Sequence, residues 1–209
     1  LFISPAYGVR IRMNANEIAH YEFRATLASD CILKTLERVE PGISEMELAT
    51  SLQKYGQPVS VQTICASGER FTNAVIEPRA KKMAPGEAFS STVGYKGGLT
   101  SRSGYIAASE ADLPEEQRDY LDRAAKPYYA AAVTWYSTIR VGLTGGELYD
   151  AVKTVFPQET YGWMLNPGHL TATEEWMSSP VSEGSDAPLQ SGMMLQMDIV
   201  MGVKGYAGA

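Results

Sequence analysis

The chain contains two histidines, and one of them stands where chemistry is conceivable. In "NPGHLTATEEW", His169 follows a proline and a glycine, so a turn places the ring, and Glu174 and Glu175 come a few residues later. Asp198 lies in "MMLQMDIVMG", where an acid inside so apolar a strand is costly unless it is paired, hydrogen-bonded or bound to a ligand. An imidazole and a carboxylate within hydrogen-bond reach can move a proton, and the same groups can ligate a divalent cation. On sequence alone, a satisfied buried histidine and a structural hydrogen bond at Asp198 explain the two stretches as well as a functional site does. His20, early on a helix, reads as an exposed or helix-packed imidazole.

Other chemistries find little support. There is no GxSxG elbow, and Ser101 and Ser103 lack the flanking glycines that would present a hydroxyl on a strained turn. Cys31 and Cys65 are solitary, each in an apolar stretch, so neither a zinc knuckle nor a dithiol site is offered. The glycine clusters "GYKGG" and "GLTGGEL" match neither the dinucleotide fingerprint nor a P-loop.

The elements that must position His169 and Asp198 follow from periodicity. Asn14 or Asn16 caps a long amphipathic helix with apolar positions Ile18, Tyr21, Ala25, Ala28, Ile32, Leu36 and Val39. Pro41 and Gly42 end it, and Ser44 with Glu47 forms a capping box for a short helix to about Tyr55. Residues 58–67 alternate as a strand, and "EAFSSTVGYKGGLTSRSGYIAA" reads as a hairpin turning at Lys96–Gly98. A second long helix is expected from about Pro114, with a kink at Pro127. Thr144 and Glu147 open another capped helix, and residues 160–209 are strand-like pieces among turns, with Met193, Met194, Met197 and Met201 as core filling. Long helix, short helix and strands thus occur twice, an internal two-fold repeat that predicts an α+β domain with helices on one face of a curved antiparallel sheet.

The 209 residues are 44% hydrophobic and carry a net charge of -6. That is enough for one large core, and the absence of basic blocks argues against nucleic acid or an anionic membrane as partner. No apolar run approaches the roughly eighteen residues of a membrane span. Unpaired cysteines and the lack of a signal pattern lead to an expectation of a cytoplasmic protein. The first residue is Leu1, and residues 1–13 are expected to be a linker from an upstream domain outside this sequence.

Several stretches together resemble the catalytic domain of the creatinase, prolidase and aminopeptidase P family, the pita-bread fold shared with methionine aminopeptidase. They are the opening helix with its "EPGISEMELA" junction, "ASGERFTNAVIEPR", the hairpin "EAFSSTVGYKGGLTS", the linking helix "LPEEQRDYLDRAAKPYYAA", "PGHLTATEEW" and "SGMMLQMDI". The resemblance implies a pita-bread domain over residues 14–209 that lacks its last C-terminal strand. In the family, two aspartates, a histidine and two glutamates hold a pair of divalent metals sharing a nucleophilic water. Carried over by position, the aspartates fall on Ser90 and Ser101, the histidine on His169 and the first glutamate on Asp198; the last glutamate falls just past Ala209. Two further family histidines fall on Val75 and Trp176. Creatinase uses this fold without metal, but its acid/base histidine is the one that falls on Val75.

A hydroxyl supplies neither the charge nor the bidentate reach of an aspartate. The resemblance therefore implies a degenerate, non-peptidase homologue of the Xaa-Pro peptidases that binds a peptide or small molecule, with no metal cofactor expected. The pocket is expected to be lined by Val75, Ser90, Ser101, Arg102, Glu174, Glu175 and Trp176. The alternatives are a metal-independent creatinase-type C–N hydrolase or lyase using His169 and Asp198, and an active Xaa-Pro peptidase dependent on Mn, Co or Zn. The family's habit predicts a homodimer.

Overall fold

The computed structural model describes residues 2–73, 76–201 and 206. Helix α1 (Ala15–Leu36) starts at Asn14, whose side chain accepts from the backbone of Asn16 and Glu17 while Glu17 reaches back to the Asn14 amide. Its buried residues are Tyr21, Arg24, Ala28, Cys31, Ile32 and Thr35, so the buried stripe is rotated away from the expected Ile18, Ala25 and Leu36. Arg24 explains the rotation: Nη1 donates to the Lys96 carbonyl at 2.5 Å and Nε to Gln57 at 3.2 Å.

The short helix α2 (Glu45–Ala49) carries the Ser44/Glu47 capping box that the sequence predicts, but ends before the expected Tyr55. Strands β1 (Val59–Ser67), β2 (Ala88–Tyr95) and β3 (Gly98–Tyr105) form one antiparallel sheet in that order. The β2–β3 turn needs its glycines. Gly97 has φ of +102°, and a Cβ there would lie 2.0 Å from the Tyr21 ring, while one on Gly98 would lie 2.4 Å from the Ala25 backbone. With Arg24, these contacts hold the turn against α1. Ala28, Cys31 and Ile32 of α1, Leu48 of α2, and Cys65, Phe89, Val93 and Tyr95 of the sheet then close the first core.

The second half departs from the expected single long helix. Residues 110–117 contain two short 3₁₀ turns, Leu121–Ala125 is a π-helical turn, and the regular helix α3 runs only from Lys126 to Thr138. Pro127 therefore sits in the first turn of α3 instead of kinking its middle. A proline lacks the amide for the i−4 carbonyl and crowds it, and the widened turn just upstream absorbs that mismatch.

Helix α4 (Gly145–Val155) opens with the Thr144/Glu147 capping box, followed by α5 (Gln158–Tyr161) and a two-stranded antiparallel sheet of β4 (Met164–Leu170) and β5 (Leu195–Val200). Trp135, Leu148, Val152, Phe156, Trp163 and Ile199 are among the residues of a second core, with Met201 inside it and Met193 and Met197 packed against it. A third cluster joins Ile11 and Tyr21 to Leu170, Ala172 and Met177. The repeat of element order is thus realised as two helix-on-sheet units, an α+β architecture. No described helix is long and apolar enough to cross a membrane.

The two capping boxes yield a test. Ser44 holds the Glu47 carboxyl below its ordinary value through hydroxyl and backbone hydrogen bonds, and Thr144 does the same for Glu147. A carboxyl depressed on folding stabilises fully above its unfolded pKa and loses that contribution as pH falls through the folded value. Ser44→Ala and Thr144→Ala should each lower unfolding stability by about 1 kcal/mol at neutral pH. Denaturant titrations should show both penalties shrinking below about pH 4.

Candidate active site and metal centre

His169 owes its orientation to an irregularity in β4. Asn166 pairs with Asp198 and His169 with Gln196, so three steps along β4 oppose two along β5. In a regular strand, residues three apart point to opposite faces. The bulge over Pro167 and Gly168 turns His169 onto the face shared by Gln196 and Asp198. Three contacts fix it: the Gly168 amide donates to Asn166 Oδ1 at 3.1 Å, Trp135 Nε1 donates to the Pro167 carbonyl, and a Cβ on Gly168 would lie 2.6 Å from Val181. The "NPGH" stretch is therefore a bulge inside a strand, where the sequence suggested a turn.

The ring is fully buried. Its Nε2 lies 3.7 Å from Glu175 Oε1 and 3.7 Å from Asp198 Oδ2, and the three ligand-capable atoms all lie within 4.8 Å of one another. Nδ1 lies 3.3 Å from the Leu170 carbonyl, an oxygen that can only accept, so Nδ1 carries the proton and Nε2 faces the carboxylates. Among the described residues, Nε2 of His169 and Oγ of Ser91 are buried side-chain polar atoms without a hydrogen-bond partner. Trp176 stacks on the imidazole, with ring centroids 4.0 Å apart and planes at 15°. Glu175 and Asp198 remain about a quarter exposed, at 25% and 24%.

The adjacent acids Glu174 and Glu175 meet different partners. Glu174 turns outward to Arg10, with Nη2 to Oε2 at 2.7 Å, and this partner holds its carboxyl below the ordinary value. Glu175 turns inward and accepts from Gln196 Nε2 at 3.1 Å. Burial pushes the Glu175 carboxyl up and the nearby Asp198 adds to the rise, while His169 and Gln196 oppose it.

Ser90 and Ser101 lie on the hairpin. Ser90, in the middle strand, pairs with Ala66 and Ser103, and Ser101 pairs with Thr92, whose Oγ1 is 2.8 Å from Ser101 Oγ. These positions share one face of the hairpin. Among the described residues, no hydrogen bond joins either serine to the His169 cluster. Arg102 alternates to the other face, is exposed, and donates to the Ser101 carbonyl at 2.5 Å. Tyr128 of α3 donates its hydroxyl to the Ile199 carbonyl of β5 at 2.8 Å. Burial pushes that hydroxyl up to about 12, with Arg102 opposing and Asp198 reinforcing the shift. Val75 lies outside the described residues.

Residues 21–209 match the sequence profile of metallopeptidase family M24. The chain belongs to this family. In structure, this M24 domain is similar to an Xaa-Pro dipeptidase from Bacillus anthracis, with a TM-score of 0.75 at 22% identity over 96% of this chain and 57% of the other. A prolidase from Pyrococcus furiosus gives 0.76 at 19% identity over 96% and 60%. An X-Pro aminopeptidase from Thermotoga maritima gives 0.70 at 18% over 96% and 58%. The chain therefore spans less than two thirds of the length of these structures. No curated protein matches its sequence.

M24 enzymes normally work with two metal ions, and two adjacent cations need several carboxylates to bridge them. Among the described residues, the groups brought together are one imidazole and two carboxylates, a donor set too small to bridge a pair. Gln196, Thr92 and Tyr128 were not singled out from sequence. Gln196 was the accessible one, since it lies two residues from Asp198 and so shares its face.

The stacked ring is testable. Trp176→Ala should cost about 0.5–1.5 kcal/mol and expose His169 to carbethoxylation. In the unmodified chain one histidine, the exposed His20, should react quickly; in the variant, both should.

Proposed function

We propose that this M24 domain has lost the dinuclear hydrolytic centre and serves as a non-peptidase homologue that binds a peptide or small molecule. The observation that carries this reading is the hairpin: Ser90 and Ser101 stand where the resemblance puts the two aspartates, and Ser101 Oγ is engaged by Thr92. Two neutral hydroxyls cannot bridge a pair of cations. Trp176, where the resemblance puts a histidine, cannot transfer a proton and covers His169.

A second reading has proximity in its favour. His169, Asp198 and Glu175 form a cluster in which protons could be exchanged without metal, and the raised Glu175 carboxyl suits a general acid. In that chemistry Glu175 and Asp198 would meet a substrate, since they reach the surface, and the sealed His169 would orient them and share their proton.

The deciding assay is hydrolysis of an Xaa-Pro dipeptide with excess Mn2+, Co2+ or Zn2+. The first reading expects no turnover above buffer. Turnover abolished by chelator would overturn it, and turnover indifferent to chelator but lost in Asp198→Asn would establish the second reading.

A further inference from the structure

We propose that His169, Glu175 and Asp198 hold a single divalent cation of the zinc or manganese class, with Glu175 as a ligand on the loop after β4. This deepens the preceding reading and rests on it, because it takes the paired centre as lost.

The argument starts from the buried nitrogen. With Nδ1 donating to the Leu170 carbonyl, Nε2 faces two carboxylates and, among the described residues, has no hydrogen-bond partner. Buried polar groups are overwhelmingly satisfied, so this nitrogen points to a partner that the side chains around it do not supply. A proton on Nε2 fits poorly. Charge-assisted hydrogen bonds run about 2.7–2.9 Å, whereas both gaps here are 3.7 Å. A metal suits these two gaps better: bonds of about 2.0–2.2 Å place neighbouring donors roughly 3–4 Å apart, which both distances to Nε2 match. One imidazole with two carboxylates is a donor set for Zn2+ or Mn2+, and two negative charges neutralise one divalent ion.

The surroundings are those of a built site. Gln196 donates to the same Glu175 oxygen that faces His169, and such outer partners fix ligand orientation. The loop is braced independently: Ala172 N and Thr171 Oγ1 both donate to the Glu174 carbonyl, at 3.0 and 3.2 Å, while Arg10 anchors the Glu174 side chain. Glu174 is thereby kept out of the cluster. No hairpin residue is required, so the serines do not prevent one ion from binding. Three protein donors leave a further position for water or an acidic ligand group on the exposed side of Glu175 and Asp198.

The test is equilibrium dialysis of the chain against Zn2+ with elemental analysis, alongside NMR of the imidazole protons. With two histidines in the chain, the spectra are readily assigned. The proposal expects one ion per chain, a shift of the His169 resonances with His20 unmoved, and unchanged stoichiometry in His20→Gln. Glu175→Gln preserves size and should weaken binding by more than the ~10–100-fold that loss of an outer partner costs. The titration of the unmodified chain stands even if that variant folds poorly. No bound ion, or one that shifts His20 alone, would overturn the proposal and leave the dismantled centre standing. Two ions per chain would overturn both.

Discussion

A buried imidazole nitrogen facing two carboxylates is the constraint on which the second half of this molecule depends. Burial of the ring removes water as a partner for Nε2, so what that nitrogen meets is decided by Glu175 and Asp198. The fold commits much to this arrangement. A bulge turns His169 to the inner face, Trp135 and Val181 lock that bulge, and Trp176 closes over the ring. A fully buried acid in the first half is handled differently. Glu45, fully buried, accepts from the Ser67 and Arg79 amides and from Arg70, and so has its partners within the chain.

The first half depends on a different constraint, the attachment of the hairpin to α1. Arg24 and the Gly97–Gly98 approach fix the turn, and register then determines what each strand position presents. The hydroxyls of Thr92 and Ser101 meet across the strands and satisfy each other. Where aspartates would leave a concentration of charge that demands cations, this face closes on itself. The two halves therefore differ in electrostatic demand although they repeat the same order of elements.

Much of this was legible in the sequence because it is local. Ser44 with Glu47 and Thr144 with Glu147 marked two helix starts, and the Lys96–Gly98 turn marked the hairpin, since caps and tight turns are set by a few adjacent residues. His169 and Asp198 stood out by residue type, and the structure puts them 3.7 Å apart. What escaped depends on tertiary partners. The buried stripe of α1 follows Arg24 because of a carbonyl on a distant turn. The partition of Glu174 from Glu175 depends on Arg10, 164 positions away. Asn166, Pro167 and Gly168 could equally have made a turn, and only the pairing with β5 makes them a bulge.

The most direct measurement is an anomalous-difference map from crystals of the chain grown with excess Mn2+ or Zn2+. The account predicts one peak, between His169, Glu175 and Asp198, and none on the hairpin face of Ser90 and Ser101. A pair of peaks bridged between the hairpin serines and His169 would contradict it.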